Sequence, residues 1–342
     1  MKAMYITGKL DISETEVATP EPGAGQVRVR VDYVGICGSD LHYYFEGANG
    51  AFVVEEPLAP GHELSGRVDL DSSGELAAGT PVTVHPARFG HSEPGIEDAP
   101  HLWPGGSYLG SASTHPHTQG GLSEYLIVER DMIRVLPAEL PLKRAALAEP
   151  LAVALHGMTR AGDITGKKVL VSGAGPIGLL TAAAARARGA AEITVCDVLE
   201  QPLDRAVAIG ADHTVRIGQD ELPENAFDVV FECSGATPAI SAAFVAARRR
   251  GMVVQIGMVP NEPRPVNLAP FISKELQLIG VFRFKDEIDE AVRILAVSPE
   301  LDNVITHVID AGESERAFDI ARDSAASGKV VIAAWPDSTN AE

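Results

Sequence analysis

The pattern of apolar and polar positions along the chain changes near residue 150. From about residue 25 to 135, short stretches of alternating apolar and polar residues, such as 26–34 and 122–128, are separated by turns rich in Gly and Pro. Alternation of this kind predicts strands with one buried face. We therefore expect an antiparallel, β-rich domain over residues 1–150.

After residue 150, continuous apolar stretches alternate with helical patterns. Apolar strands are predicted at 168–171, 192–197, 227–235 and 252–257. Three helices are predicted: one that begins at Pro176, one that ends near Gly210, and one over 238–251. Strands and helices at this spacing imply βαβ crossovers and a parallel sheet covered on both faces. The expected fold class is α/β, with a doubly wound parallel sheet over residues 151–283.

The stretch 284–342 is expected to return to the first domain. It contains a helical pattern at 286–296, a strand near 306–309, another helix and the apolar stretch 329–335, which are too few elements for a third domain. One long irregular segment, 87–120, is rich in Gly, Pro, Ser and His. Loops of this length are usually functional or mobile, so we expect it to be ordered by packing around Trp103, Pro104 and Tyr108, or mobile.

Composition excludes several classes of partner. The 342 residues carry a formal net charge of -19, which disfavours nucleic acid and anionic membrane surfaces. No stretch approaches the roughly 18 apolar residues of a membrane helix, and the first residues lack the apolar centre of a signal peptide. The three cysteines cannot build a disulfide framework. A cytoplasmic location is expected.

Three glycines form the pattern G-x-G-x-x-G between a predicted strand and a predicted helix. Glycine allows a tight turn here and lets a pyrophosphate approach the helix N-terminus. Asp197 ends the next predicted strand, 19 residues after Gly178, where an acidic side chain binds the adenosine ribose hydroxyls. The pattern predicts a dinucleotide site of the Rossmann type, formed by Gly173, Gly175, Pro176, Ile177, Gly178, Asp197, Ser234 and Gly257.

The charge of Asp197 favours NAD over NADP, because it repels the additional phosphate of NADP. The next three residues supply no basic side chain for that phosphate. Arg205, in the following helix, is the residue that argues against this preference. The alternative is that Asp197 only caps the next helix.

The first domain also contains potential metal ligands. Cys37 lies within G-I-C-G-S-D-L-H at 35–42, and His62 and Glu63 lie within G-H-E at 61–63. Thiolate, imidazole and carboxylate are ligands that Zn²⁺ prefers, and a catalytic zinc keeps one position open. By spacing alone the pair of Cys37 and His62 is a weak signal, and packing in the core is the alternative.

Several motifs together resemble the zinc-containing medium-chain dehydrogenases, in the same order over nearly the whole chain. They are C-G-S-D-L-H at 37–42, G-H-E at 61–63, E-P-L at 149–151, S-G-A-G-P-I-G at 172–178 and V-F-R-F at 281–284. The chain is most similar to the sorbitol and L-idonate dehydrogenase branch. The stretches D-L-H-Y-Y-F-E-G at 40–47 and G-S-A-S-T-H-P-H-T-Q-G-G at 110–121 resemble L-idonate 5-dehydrogenases.

The resemblance implies a GroES-like catalytic domain in which Cys37 and His62 bind a catalytic zinc. Glu63 or Glu149 supplies the carboxylate, and both remain candidates. Asp40 matches the residue that orients the ligating histidine, and a turn-forming role is its alternative.

Three further site residues are implied by the resemblance. Ser39 and His42 match positions that carry the proton from the alcohol to solvent, although His42 alone would also suit an exposed surface position. Arg283 matches a position that reaches the substrate hydroxyls, and its guanidinium would also suit a sugar-acid carboxylate. A salt bridge at the domain boundary is the alternative for Arg283.

The chain departs from the family in the segment 85–120. Many relatives hold a second, structural zinc there with four cysteines, and this segment has none. We expect one catalytic zinc per subunit and no structural zinc. The segment instead contains five histidines, for which exposure or packing is favoured over a replacement metal site: His85, His91, His101, His115 and His117.

The expected function is NAD-linked, zinc-dependent oxidation of a secondary alcohol of a polyol or sugar acid, with L-idonate to 5-ketogluconate as the specific reaction. A homodimer or homotetramer is implied. The alternatives are a sorbitol, xylitol or other alcohol dehydrogenase, a zinc-free quinone reductase on the same scaffold, and a nucleotide-sensing protein without the chemistry.

Overall fold

The structure is a computed structural model, and it describes residues 1–335. Its strands are β1 (Lys2–Gly8), β2 (Asp11–Glu16), β3 (Gln26–Gly35), β4 (Ala48–Asn49), β5 (Phe52–Val53), β6 (Glu63–Asp71), β7 (Pro81–Val84), β8 (Ala87–Arg88), β9 (Ser107–Tyr108), β10 (Tyr125–Glu129), β11 (Ile133–Val135), β12 (Lys168–Ser172), β13 (Glu192–Asp197), β14 (His213–Arg216), β15 (Phe227–Glu232), β16 (Ala247–Gln255), β17 (Gln277–Gly280), β18 (Ile305–Asp310) and β19 (Lys329–Ala333). Its α-helices are α1 (Gly38–Glu46), α2 (Leu142–Ala145), α3 (Ala148–Ala161), α4 (Pro176–Ala187), α5 (Glu200–Ala208), α6 (Thr237–Ala246), α7 (Ala269–Ser273), α8 (Ile288–Val297) and α9 (Ser314–Arg322).

Six strands form a parallel sheet in the order β14-β13-β12-β15-β16-β17. This is the doubly wound order of dinucleotide-binding sheets, in which the strand order reverses between the first and fourth strands. Ligands bind in the crevice at that reversal, which here lies between the carboxyl ends of β12 and β15. The predicted Rossmann-type sheet is confirmed.

Seven strands form the second large sheet. Its order is β11-β7-β6-β3-β19-β18, and β10 also pairs with β3. All of these pairs are antiparallel except β18 with β19. Alternate residues of β3 are fully buried, among them Val27 and Val29, as the alternating pattern predicted. The β-rich, GroES-like part of the predicted fold class is confirmed.

The last part of the chain is shared between the two cores. Ile288, Ala291 and Leu295 of α8 are fully buried in the core of the parallel sheet. The chain returns to the antiparallel sheet at β18 and β19, where Ile332 pairs with Val34. The division of the chain at residues 150 and 283 stays a prediction.

One element differs from the sequence prediction. The helix expected over 238–251 ends at Ala246, and residues from Ala247 onward belong to β16. Lys274 Nζ donates to the carbonyl oxygens of Phe244, Val245 and Ala247 at 2.6–3.1 Å and so caps the end of α6. This cap comes from a residue distant in sequence. The helical periodicity of 238–251 therefore does not indicate where the helix ends.

The segment 87–120 is ordered around short strands and one aromatic side chain. Ala87 of β8 pairs with Tyr108 of β9, and Trp103 Nε1 donates to the carbonyl of Ile96 at 2.8 Å. Pro104, also predicted to pack here, is exposed. Within residues 1–335, no helix has the length and apolar character needed to cross a bilayer.

Candidate active site

Strand pairing brings three potential metal ligands to one place. Cys37 is the residue before α1 and follows β3, whereas His62 immediately precedes β6. The register of these two strands places Gly35 opposite Glu63. A side chain at position 35 would overlap the Glu63 carboxylate, so glycine is required there for the carboxylate to reach the site.

The three ligand atoms of Cys37, His62 and Glu63 all lie within 4.8 Å of one another. His62 and Glu63 are buried, and His62 Nδ1 has no hydrogen-bond partner among residues 1–335. A sulfur, nitrogen and oxygen donor set in which the imidazole and the carboxylate are buried and the thiol is half-buried fits a zinc ion. We call these three residues the metal group.

The electrostatics around the metal group favour a bound cation. Burial works against protonation of His62, yet the charges of Cys37 and Asp40 raise its pKa well above the ordinary value. Burial raises the pKa of Glu149, and the charge of Glu63 raises it further. Several acidic groups therefore share one buried space, which a divalent cation would stabilise.

The two candidate carboxylates are held differently. Lys329 Nζ, at the start of β19, donates to Glu63 Oε1 at 2.7 Å and to the Ile36 carbonyl at 3.0 Å. Glu149, in the first turn of α3, accepts a hydrogen bond of 2.6 Å from the Tyr108 hydroxyl. Glu63 belongs to the metal group, whereas Glu149 is bound to a neighbouring aromatic side chain.

Sequence reasoning missed Lys329 and the hydrogen-bonding role of Tyr108. Lys329 is only 4% exposed, which is unusual for lysine without a partner. Burial lowers its pKa, but Glu63, Cys37 and Glu149 together outweigh burial and raise that pKa above its ordinary value. The only signal in the sequence is a lysine at the start of an apolar strand, which is also common at exposed strand ends.

Asp40 binds the backbone of the two segments that carry the candidate ligands Cys37 and His62. Its Oδ2 accepts from the Cys37 N–H at 2.9 Å, and its Oδ1 accepts from the Gly61 N–H at 3.2 Å. The distance from Oδ1 to His62 Nδ1 is 4.0 Å, too long for a hydrogen bond. In this structure Asp40 positions the two segments through their amides.

Ser39 and His42 lie three residues apart on α1, and therefore on the same face of that helix. Ser39 is half-buried and His42 is exposed. His42 Nδ1 donates to Glu46 Oε1 at 3.1 Å, which leaves Nε2 for exchange with solvent.

Arg283 follows β17 and lies beside the metal group's aromatic neighbour. Its backbone φ is 53°, in the left-handed region that non-glycine residues seldom adopt. The guanidinium carbon lies 4.3 Å from the centre of the Tyr108 ring and 4.9 Å from that of Phe282. Among residues 1–335 it has no ion pair, so the salt bridge considered as an alternative is not formed there.

The glycine turn joins β12 to α4 as predicted. Gly173 has φ 98°, and a Cβ on Gly178 would overlap the Gly173 carbonyl oxygen. Gly175 immediately precedes Pro176, the first residue of α4, and a Cβ there would meet nothing within 4 Å. Gly178 therefore serves the turn itself, whereas Gly175 leaves open space at the helix N-terminus.

Ser234 and Gly257 lie close to this turn. A Cβ on Gly173 would lie 3.0 Å from Ser234 Cβ, and one on Gly257 would lie 2.9 Å from the Ser234 nitrogen. The segments after β12, β15 and β16 therefore meet at the carboxyl edge of the sheet, where a dinucleotide is expected.

Asp197 ends β13 and binds the glycine turn. Its Oδ2 accepts from the Ala174 N–H at 2.7 Å, and its Oδ1 accepts from the Leu199 N–H at 2.9 Å. Leu199 is the residue before α5, so Asp197 is not the cap of that helix. Arg205 Nη2 donates to the carbonyls of Ser324 and Ser327 at 3.3 and 3.2 Å.

Comparison with known proteins assigns the chain to a family. Residues 23–138 match the alcohol dehydrogenase GroES-like domain, and residues 176–297 match the zinc-binding dehydrogenase domain. L-idonate 5-dehydrogenase (NAD(P)(+)) of Escherichia coli (strain K12) is 37% identical over 301 residues, which are 86% of this chain and 87% of that protein. The chain belongs to the zinc-dependent medium-chain dehydrogenase family.

Other members of the family agree in sequence and in fold. Human sorbitol dehydrogenase is 32% identical over 334 residues, 93% of this chain and 91% of that protein. The crystal structure of Escherichia coli L-idonate 5-dehydrogenase matches with a TM-score of 0.91 at 33% identity and covers 97% of both chains. This dehydrogenase is therefore an oxidoreductase for a small alcohol or polyol that uses zinc and a nicotinamide cofactor.

A further residue that sequence reasoning missed lies at the carboxyl edge of the parallel sheet. Glu232, the last residue of β15, is fully buried, and its carboxylate accepts from the N–H groups of Ser234 and Gly235 at 3.0 and 2.9 Å. Gln255 Nε2 donates to the same carboxylate at 2.6 Å. Glu232 thereby fixes the loop that faces Gly173.

The histidines of the 85–120 segment have distinct surroundings. His85 is buried and its Nε2 donates to the Lys285 carbonyl at 2.8 Å, whereas His91 is exposed. The ligand atoms of Glu56, His115 and His117 lie within 4.8 Å of one another, a grouping that sequence reasoning did not identify. Both ring nitrogens of His117 are already used, since Nε2 accepts from the Glu55 N–H at 3.1 Å and Nδ1 donates to the Thr114 carbonyl at 2.8 Å.

Proposed function

We propose that this dehydrogenase oxidises a secondary alcohol of a polyol or sugar acid with NAD, and that L-idonate, oxidised to 5-ketogluconate, is its substrate. The observation that supports the reaction type is the metal group, in which the ligand atoms of Cys37, His62 and Glu63 lie within 4.8 Å of one another. The choice of L-idonate is supported by the similarity to Escherichia coli L-idonate 5-dehydrogenase over most of both chains.

Cys37 and His62 would hold the zinc, with Glu63 or Glu149 as the third ligand. When bound, zinc lowers the pKa of the substrate hydroxyl so that the alcohol is activated near neutral pH. Lys329 holds the Glu63 carboxylate in the metal group, and Tyr108 holds Glu149 beside it. Glu63 is the favoured ligand, since its carboxylate lies with the thiol and the imidazole.

The proton of the alcohol leaves through Ser39 and His42. Their positions on one face of α1 form a path from the half-buried serine to the exposed histidine. His42 donates from Nδ1 to Glu46, so its Nε2 accepts the proton and releases it to solvent.

NAD is the proposed cofactor in preference to NADP. It occupies the carboxyl edge formed by Gly173, Gly175, Pro176, Ile177, Gly178, Ser234 and Gly257, with its adenosine ribose at Asp197. Arg205, the basic residue considered as a phosphate ligand, is used by the carbonyls of Ser324 and Ser327. The charges of Arg205 and Asp197 attract each other, and the Arg205 guanidinium is already engaged in hydrogen bonds within the protein.

One zinc per subunit is proposed. The segment 85–120 contains no cysteine. His117, the buried member of the group with Glu56 and His115, uses both ring nitrogens in hydrogen bonds. A zinc bound by His117 in this group would have to break one of these two hydrogen bonds.

A homodimer or homotetramer is proposed, formed along β17. This strand is an edge of the parallel sheet and pairs only with β16 among the described strands. Exposed apolar side chains accompany it: Met258 is 74% exposed and Ile272 70%, and Leu278 and Phe282 are also exposed. An unpaired strand edge beside exposed apolar side chains suits association with a second copy.

A substrate panel tests the proposed function. Purified enzyme is assayed with L-idonate, gluconate, sorbitol, xylitol, threonine and simple alcohols, each with NAD and with NADP. The highest kcat/KM is expected for L-idonate with NAD. A higher kcat/KM for sorbitol or xylitol would favour the polyol alternative, and activity restricted to threonine or simple alcohols would contradict the proposal.

A further inference from the structure

His85 is a buried histidine that the proposed reaction does not use, and its ring joins two segments distant in sequence. Its Nδ1 accepts from the N–H of Ala87 at 3.2 Å, and its Nε2 donates to the carbonyl of Lys285 at 2.8 Å. The residue is only 3% exposed. Because one ring nitrogen accepts and the other donates, the imidazole is neutral and carries its proton on Nε2. His85 therefore links β8 to the segment 284–287.

The surroundings of His85 favour this neutral form and hold the ring in place. Its ring centre lies 4.7 Å from that of Phe284 and 5.3 Å from that of Phe89. Burial lowers the pKa of His85 below its ordinary value, more than the hydrogen bond to the Lys285 carbonyl raises it. A ring packed against two aromatic side chains has little freedom to turn away from its hydrogen-bond partners.

The segment 284–287 is in turn tied to α3. Glu287 Oε2 accepts from the N–H groups of Lys285 and Asp286 at 2.9 and 3.1 Å. Glu287 Oε1 accepts from His156 Nδ1 at 2.8 Å, and His156 is a residue of α3. The side chains of Glu287 and His156 are at most 10% exposed, so this connection is shielded from water.

Helix α3 also carries Glu149, which leads back to β8. The Tyr108 hydroxyl donates to Glu149 Oε1 at 2.6 Å, and Tyr108 of β9 pairs with Ala87 of β8. The contacts therefore close on themselves. We call this closed series the His85 circuit, and its members in order are His85, the segment 284–287, His156, Glu149, Tyr108 and Ala87.

The His85 circuit passes beside the metal group. Glu149 is 5% exposed, and burial raises its pKa, which the charges of His62 and Glu63 also affect. A buried carboxylate at this distance contributes to the electric field at the metal group. Because preorganised charges stabilise a transition state only when they are held in place, the reaction depends on where Tyr108 keeps this carboxylate.

We propose that His85 is a positioning residue for the reaction at the metal group, and that its hydrogen bond to Lys285 closes the circuit that keeps the Tyr108 hydroxyl on Glu149. The inference rests on the proposed function, because it assigns a residue that supports the alcohol oxidation by acting through Tyr108. The same bond docks the segment 85–120, which contains no cysteine, on the rest of the enzyme.

Two polar substitutions separate the two hydrogen bonds of His85. In His85→Gln the amide nitrogen reaches the position of Nε2 and still donates to Lys285, whereas the shorter side chain of His85→Asn keeps only an acceptor for Ala87. With the best alcohol of the substrate panel, kcat should stay within a factor of about three in His85→Gln. It should fall about tenfold in His85→Asn, as expected for loss of a hydrogen bond to a charged group.

KM for NAD should stay within a factor of about three in both variants, because the glycine turn lies outside the circuit. His91→Asn, which changes an exposed histidine of the same segment, is the matched control and should leave kcat and KM unchanged. Equal kcat values for His85→Gln and His85→Asn would overturn the proposal.

A Tyr108→Phe background tests the route of the effect. This substitution keeps the ring, removes the hydroxyl and should by itself lower kcat about tenfold, and addition of His85→Asn should cause no further loss. A hundredfold loss in the double variant would mean that His85 does not act through Tyr108. If His85→Asn does not fold, His156→Leu opens the same circuit at Glu287 and should also lower kcat about tenfold. An unchanged kcat in that variant would contradict the circuit.

Hydrogen exchange provides a readout without turnover. In enzyme saturated with NADH, the peptides covering 86–90 and 106–110 should exchange at least about threefold faster in His85→Asn and at the wild-type rate in His85→Gln. Unchanged exchange in His85→Asn would overturn the link between β8 and 284–287, whichever alcohol the enzyme oxidises. Faster exchange in His85→Asn, in an enzyme that oxidises no alcohol of the panel, would support the link and contradict the proposed function.

Discussion

The glycine turn and the metal group differ in how their residues come together. The turn takes Gly173, Gly175 and Gly178 from six consecutive positions, and its geometry follows from local backbone conformation. The metal group takes its residues from the start of α1 and from the pairing of β3 with β6, and a lysine of β19 completes it. The glycine turn depends on the conformational freedom of its own backbone. The metal group depends on charged side chains that are distant in sequence and that compensate one another.

Cys37→Ser is expected to distinguish the two regions most strongly, because it should affect the metal group and leave the glycine turn unchanged. Loss of the thiolate should weaken zinc binding and lower kcat/KM by at least about a thousandfold, because the metal supplies several kcal/mol of transition-state stabilisation. NADH binding, measured by fluorescence titration, should stay within a factor of about three. Cys196→Ser, a buried thiol of β13, is the control, and full activity of Cys37→Ser would remove the metal mechanism.

Lys329→Met tests the compensation of charge in the assembled site. Without its partner, the Glu63 carboxylate is left buried, and loss of one member of a buried pair typically costs about 3–5 kcal/mol. The free energy of unfolding of metal-free protein, measured with urea, should fall by that order. Lys2→Met, which breaks the more exposed pair with Glu14, should cost less than about 1 kcal/mol. Equal effects of the two variants would contradict the importance of burial.

Gly178→Ala and Gly175→Ala test two separate roles of glycine in the turn at 173–178: shaping the turn and leaving space for the cofactor. The methyl group at 178 overlaps the Gly173 carbonyl, so unfolding free energy should fall by about 1–3 kcal/mol and NADH binding should weaken. The methyl group at 175 meets no protein atom, so stability should be nearly unchanged while NADH binding weakens. Thermal unfolding with and without NADH checks both, and similar destabilisation by the two variants would contradict the assignment.

Asp197→Ala is expected to have the smallest of these effects. Its kcat/KM ratio for NAD over NADP should fall by roughly tenfold or more, because a charge that disfavours the additional phosphate is removed. Asp197→Asn removes the charge but keeps only one acceptor oxygen, so it retains the hydrogen bond from the amide of either Ala174 or Leu199 and not both. An unchanged preference in both variants would mean that this carboxylate does not discriminate the cofactors.

The difference between a local site and an assembled site also explains which features could be predicted from the sequence. The parallel sheet, the turn at 173–178 and Asp197 at the end of β13 could be predicted, because each rests on periodicity or on closely spaced residues. Lys329, the hydrogen bond from Tyr108 to Glu149 and the cap of α6 by Lys274 could not, because each joins side chains far apart in sequence. The candidate metal ligands were identified through a family resemblance, since the spacing of Cys37 and His62 alone is a weak signal.

The zinc content of purified protein tests the central claim most directly. Elemental analysis should give about one zinc per subunit in the wild type and nearly none in Cys37→Ser, with Cys196→Ser retaining the wild-type value. About two tightly bound zincs in the wild type, or a full zinc complement in Cys37→Ser, would contradict a single metal held by Cys37, His62 and an acidic neighbour.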